Sequence, residues 1–126
     1  MTNSPKIIAI AEDEVLYGKI LKNKLEKEGY RVTHCLNGEA LLQAIRAQKP
    51  DLILLDLIMP IKDGFQTLKE IKSDPTLQNI KVIVLSNLGQ EEDIKTVMNL
   101  GATNYLVKAD TQFTNAIAMI KNNLED

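Results

Sequence analysis

Four places in this 126-residue chain carry side chains with chemistry to offer. The stretch "AEDE" sets Glu12, Asp13 and Glu14 side by side after an apolar run. Asp56 follows four apolar residues in "DLILLDL", where a carboxylate is costly to keep. Ser86 closes "KVIVLS", and Lys108 closes "NYLVK". Carboxylates gathered in one crevice repel one another and hold protons more tightly. A hard divalent cation relieves that, and magnesium takes one or two carboxylates and keeps waters for its other positions. An anion such as phosphate can then approach. Lys108 would offer a compact cation on the far side, and Ser86 a hydroxyl donor. Asp56 would be the nucleophile, since a carboxylate can attack phosphorus and carry an acyl phosphate. Metal and lysine would stabilise charge on the transferring group and hold it in line. Taken singly, each residue has a plainer reading. Glu12 or Asp13 could cap a helix, Ser86 could sit in a turn, and Lys108 could be solvated. The chemistry depends on whether the fold brings them together.

The elements that must do so are legible as an alternation. Five short apolar runs, 6–11, 31–35, 51–57, 81–86 and 104–108, read as strands. Between and after them lie five stretches with helical spacing. Examples are Tyr17, Ile20, Leu21 and Leu25 in the first, and Phe113, Ile117, Ile120 and Leu124 in the last. Gly29 and Gly101 stand where the first and fourth helices should end, and Asn37-Gly38 where the second should begin. "SDPTLQN" (73–79) is a turn-rich loop. Alternating strands and helices imply βαβ units. The prediction is an α/β, three-layer, doubly wound, flavodoxin-like fold. It has a five-stranded parallel sheet of order 2-1-3-4-5 and five helices, with the site beyond the carboxyl ends of the strands. In such a sheet Glu12, Asp13, Asp56, Ser86 and Lys108 share one edge. Asp51 begins its strand and falls on the opposite edge.

Composition sets the remaining bounds. The length fits one domain, 1–126, and the chain stops soon after Leu124, so no further domain is expected. A net charge of -2 argues against direct nucleic-acid binding, which needs a basic patch. No segment approaches the ~20 apolar residues of a membrane span, and the N-terminal apolar run is too short for a signal peptide. A cytoplasmic, reduced setting is expected, with Cys35 a small core residue. His34, the only histidine, reads as a half-buried structural residue.

Together "AIAEDE", "LILLDLIMPIKDG", "VIVLSN" and "GATNYLVKAD", in that order, resemble the receiver (response regulator) domain of bacterial two-component signalling systems, the CheY-like domains. The resemblance covers nearly the whole chain. It implies that Asp56 is the phosphorylation site and that magnesium is the cofactor. Asp13 would bind the metal directly and Glu12 mainly through metal-bound water, with Asp56 and the backbone carbonyl of Ile58 completing the protein ligands. Ser86 would reach the phosphoryl group, Lys108 would pair with it, and Tyr105 would be the switch aromatic that turns inward when Ser86 moves. Pro60 and Gly64 would shape the loop after strand three. The phosphoryl donor would be a sensor histidine kinase or a histidine phosphotransfer protein. An output protein of unknown identity would read the helix-four and strand-five face, with the chain a monomer or a phosphorylation-dependent dimer. The domain would be a signalling switch rather than an enzyme, with weak self-phosphorylating and self-dephosphorylating chemistry only.

Three departures from the family pattern carry expectations of their own. Ala109 stands where proline usually follows the lysine, so the loop there is expected to be trans, differently shaped and more mobile. Asn87, where a small residue is usual, could narrow access to the site. Ile58 and Leu88 cannot position an attacking water by hydrogen bonding, which points to slow self-dephosphorylation. Tyr105 also has a plainer reading, as a strand aromatic packed on the last helix. Three other functions compete. A pseudo-receiver that docks without phosphorylation is opposed by the intact Asp13, Asp56, Ser86 and Lys108 set. A related hydrolase would need another acid close after the nucleophile, yet Asp63 comes next, beyond a proline. A flavodoxin-like cofactor binder would bring its phosphate against Glu12, Asp13 and Glu14.

Overall fold

In the computed structural model, which describes residues 4–125, each apolar run contains a strand. β1 (Ile7–Ala11), β2 (Arg31–Cys35), β3 (Leu52–Leu55), β4 (Lys81–Ser86) and β5 (Asn104–Val107) pair in parallel in the order β2-β1-β3-β4-β5. Five helices alternate with them: α1 (Val15–Lys27), α2 (Gly38–Ala47), α3 (Gly64–Ser73), α4 (Glu91–Asn99) and α5 (Phe113–Leu124). A 3-10 turn, Lys108–Asp110, follows β5. This is the expected doubly wound order, with β1 and β3 adjacent at the switch point.

The central strands are continuously apolar because each serves two cores. Ile8 and Ile10 of β1, Leu52 and Leu54 of β3, and Ile83 and Leu85 of β4 join Leu21 and Leu25 of α1 and Ile120 of α5. The alternate residues, Ala9, Ala11, Ile53, Leu55, Val82 and Val84, face the other layer with Leu41 of α2, Leu68 of α3 and Val97 of α4. Successive strand side chains point to opposite faces, so a strand between two helical layers has no polar face to show. The edge strand β2 alternates exposed and half-buried residues instead. Cys35, at its end, is buried and free, as its composition-based reading required.

Local chemistry sets the element ends. Asn37 caps α2, its side chain accepting from the Ala40 N–H at 2.8 Å, and Asp63 caps α3 through the Gln66 N–H at 2.8 Å. Gly29 and Gly101 follow α1 and α4 with φ of +98° and +109°, the left-handed closure that glycine adopts without strain. The third strand is shorter than the 51–57 run. Asp51 stays outside it and ties down the start of β1, where the Ile7 N–H donates to its Oδ2 at 2.8 Å. At the other end the ladder runs one step past β3, the Asp56 N–H donating to the Ala11 carbonyl at 3.0 Å. That bond seats Asp56 at the carboxyl edge beside the end of β1. Among the described residues no helix is long and apolar enough to cross a membrane.

Candidate functional site

Asp56 leaves the sheet with both carboxylate oxygens engaged. Its Oδ1 accepts from the Leu57 N–H at 2.7 Å, and its Oδ2 lies 3.3 Å from Lys108 Nζ. It is 6% exposed, a buried acid that needs such partners. Glu12 continues from β1, its N–H donating to the Cys35 carbonyl at 2.9 Å. One Glu12 oxygen pairs with Lys108, and the other accepts from the Glu14 N–H at 3.0 Å. Neither Glu12 nor Asp13 caps α1. The cap position belongs to Glu14, whose side chain makes no capping bond. Asp13 is exposed beside them, and Glu12, Asp13 and Asp56 each place a carboxylate oxygen within 4.8 Å of the others. Ser86, buried at the end of β4, accepts a long bond from the Leu88 N–H at 3.4 Å. Asp13, Glu14, Asp56, Ile58, Ser86, Asn87 and Lys108 line one cavity of about 220 Å³. The residues singled out from strand ends thus meet at one crevice, with Asn87 on its exposed rim.

The electrostatics follow from three acids around one ammonium. Burial pushes the Glu12 carboxyl up to about 7, against the hydrogen bond from Lys108, and the Asp56 charge pushes the same way. Burial acts on Lys108 to weaken its hold on the proton. Hydrogen bonds to Glu12 and Glu14 and the Asp56 charge outweigh that, and its pKa sits above the ordinary lysine range. Lys108 therefore remains a cation at the bottom of the cavity. Glu12, Asp13 and Asp56 offer hard oxygen donors at a spacing that suits a divalent ion such as magnesium, and Ile58 lines the same cavity.

Three of the expectations on site surroundings are refined. The turn carrying Ala109 is ordered by hydrogen bonds: the Thr111 N–H donates to the Lys108 carbonyl at 3.2 Å and the Thr111 hydroxyl to the Val107 carbonyl at 2.8 Å. No described peptide bond is cis. The turn aims Lys108 into the acid cluster. Leu88 packs on the core beneath α3 and α4 and does not line the cavity, so only Ile58 of the two apolar residues stands at the site. Tyr105 packs on that same core, not on α5, and its hydroxyl donates to the Leu88 carbonyl. His34 is half-buried and structural: one ring nitrogen bonds the Glu12 carbonyl at 2.8 Å, and the ring lies over Gly18.

The loop after β3 is shaped as expected around Gly64. Its N–H donates to the Leu57 carbonyl at 2.8 Å, and a Cβ there would come within 2.6 Å of Leu57 Cα. Only glycine lets α3 begin so close to the acid. Ile61, 82% exposed, has φ of +70°, an outlier for a β-branched side chain. Two site residues had no role assigned from sequence. Glu14 lies 2.9 Å from Lys108 Nζ, and the Tyr17 ring sits under the same ammonium, 4.6 Å from ring centre to nitrogen. Their spacing, one helical turn apart at the start of α1, is the signal that was available.

Comparison with known proteins points the same way. The family model described as "Response regulator receiver domain" matches residues 8–119. The chain is 36% identical over 101 residues to the probable transcriptional regulator ycf27 of Guillardia theta, covering 80% of this chain and 39% of that protein. It therefore spans about two-fifths of that relative's length. Among solved structures, the phosphorylated cyanobacterial phytochrome response regulator RcpA superposes with a TM-score of 0.88 at 32% identity, covering 96% of this chain and 95% of that one. The Mn(2+)-bound form of response regulator Rcp1 gives 0.86 at 29% identity, with 96% of each chain covered.

Proposed function

The chain belongs to the response regulator receiver domain family of two-component signalling, and from that premise we propose that it is a phosphoacceptor switch whose acceptor is Asp56. The observation that carries this reading is the buried Asp56 beside the Lys108 ammonium, in the same cavity as Asp13 and Ser86. The donor is the phosphohistidine of a sensor histidine kinase or histidine phosphotransfer protein. An Asp56 carboxylate oxygen attacks phosphorus, the new O–P bond forms, and the P–N bond to the donor imidazole breaks with its electron pair left on nitrogen. Lys108, already 3.3 Å from Asp56, pairs with the arriving phosphoryl oxygens. Ser86 supplies the hydroxyl that meets the phosphoryl group once it is in place.

Asp13, Asp56 and the Ile58 backbone carbonyl would hold magnesium directly, and Glu12 would act through water. Both Glu12 oxygens already have partners in Lys108 and the Glu14 N–H, which favours that indirect role. Bound magnesium supplies positive charge against the oxygens of the transferring group. The RcpA structure is of the phosphorylated protein and the Rcp1 structure of an Mn(2+)-bound form, which supports both halves of the reading.

The switch runs from Ser86 through the β4–α4 loop. Tyr105 is tied to that loop at Leu88, so a shift of Ser86 reaches β5 and alters the α4–β5 face that an output protein reads. The chain acts as a cytoplasmic signalling domain, a monomer or a phosphorylation-dependent dimer, not as a turnover enzyme. Its own chemistry is self-phosphorylation and slow self-dephosphorylation. With Ile58 at the cavity, Ile58→Asn should speed decay of the phosphorylated protein by about three- to tenfold, read from intact mass over time, because an amide can position water where Ile58 excludes it. An unchanged decay rate would remove the role of Ile58.

Intact mass after incubation with magnesium and acetyl phosphate tests the main reading. Wild-type protein should gain one phosphoryl group, and the gain should vanish with a chelator or in Asp56→Asn. Equal labelling with and without the chelator would contradict the magnesium dependence, and labelling of Asp56→Asn would contradict the acceptor.

A further inference from the structure

Lys108 has more acidic partners than a receptor for phosphate needs. An ammonium offers three N–H donors and no more. Here Glu12, Glu14 at 2.9 Å and Asp56 at 3.3 Å claim them all, and the Tyr17 ring covers a further side of the same nitrogen. A phosphoryl group on Asp56 can inherit the donor that Asp56 now holds, but its remaining oxygens find no vacant donor on Lys108, so any further contact needs another partner to leave. Glu12 and Asp56 are fixed. Their side chains are 3% and 7% exposed, Glu12 is held a second time by the Glu14 N–H, and Asp56 is the acceptor itself. Glu14 differs on every count. Its side chain is 58% exposed, it makes no capping bond to α1, and it lines the cavity mouth with the other acids.

We propose that Glu14 is a positioning residue that holds the phosphoryl group's place on Lys108 in the unphosphorylated protein and swings into solvent when Asp56 is phosphorylated. This rests on the phosphoacceptor reading above. In the resting state Glu14 orders the Lys108 ammonium over the cavity and adds a negative charge at its mouth. A doubly charged phosphodonor must displace one anion and approach another, so the same contact that positions the lysine opposes donor binding. A fully buried acid could not play this part, since leaving the lysine would strand a charge in the core. An exposed one is resolvated as it leaves.

The test uses acetyl phosphate with saturating magnesium on the full chain. The half-saturating donor concentration should fall about three- to tenfold in Glu14→Gln, the size of a partly exposed ion pair, while the maximal rate changes less. Glu14→Ala removes the neutral acceptor too, and should move the same way by at least as much. Glu26→Gln takes the same charge from an exposed position elsewhere on α1 and should leave the curve where it was. Isothermal titration with beryllofluoride in magnesium gives a readout free of chemistry, and both Glu14 variants should bind it more tightly. If wild type is labelled on Asp56 but neither Glu14 variant shifts half-saturation, or Glu26→Gln shifts it equally, the inference fails alone. If wild type gains no phosphoryl group, the phosphoacceptor reading fails and takes this inference with it.

Discussion

Asp56 sits among more acids than its one ammonium partner can serve. Glu12, Glu14 and Asp56 share one ammonium, and Asp13 adds a further carboxylate within 4.8 Å of Glu12 and Asp56. Like charges at that spacing oppose one another, and among the described residues Lys108 alone answers them. Asp56→Asn removes one charge and keeps the shape, so the metal-free protein should gain about 0.5–1.5 kcal/mol, measured as a shift of the urea midpoint at constant slope. A loss of stability would mean that the Asp56–Lys108 pair outweighs the repulsion. Cys35 gives a pH-dependent case. Burial raises its thiol above the ordinary 9.0, so the folded state keeps the proton that the unfolded state gives up. Its contribution to stability is complete below that value and is lost as pH climbs through the folded pKa. Alkylation of native protein at pH 8 should be at least about tenfold slower than in denaturant, and equal rates would contradict a buried thiol. At this scale the sequence was informative about residues that end strands. Asp56, Ser86 and Lys108 could be placed because a strand end has a known edge. Glu14 and Tyr17 escaped because their partner depends on how the first turn of α1 is rotated toward Lys108, which periodicity leaves open.

Helices and strands were legible where local chemistry and burial agree. β2 and β4 match their apolar runs residue for residue, and Gly29 and Gly101 end α1 and α4 as read. The 51–57 run overstates β3 because an apolar residue beyond a strand end looks the same as one within it. Leu57 is buried by the loop's return to α3, not by pairing. The turn after β5 shows the reverse case. Ala109 removes proline's fixed φ, and Thr111 braces the turn through two hydrogen bonds that no run of apolar residues announces. Caps make the element scale testable. The Asn37 side chain satisfies one of the orphan N–H groups of α2, and Asn37→Ala should cost about 1 kcal/mol in urea unfolding. An unchanged midpoint would mean that water serves the Ala40 N–H equally well.

For the whole molecule, the sheet order decides everything. Placing β1 between β2 and β3 sets Glu12 and Asp13 beside Asp56, and placing β4 between β3 and β5 brings Ser86 and Lys108 to the same edge. Residues as far apart as Glu14 and Lys108 become neighbours only through that topology. The crevice, the tie from Tyr105 to the β4–α4 loop, and the α4–β5 face lie along one continuous path, which is what a phosphorylation switch needs. On the proposed reading, everything in that path starts from one bond between phosphorus and a carboxylate oxygen. The direct measurement is to label the protein with magnesium and acetyl phosphate, reduce it with borohydride, which converts an aspartyl phosphate to homoserine, and locate the change by tandem mass spectrometry. The account predicts homoserine at position 56 and at no other acid. Homoserine at position 13, or phosphate found on a side chain outside the crevice with Asp56 intact, would contradict it.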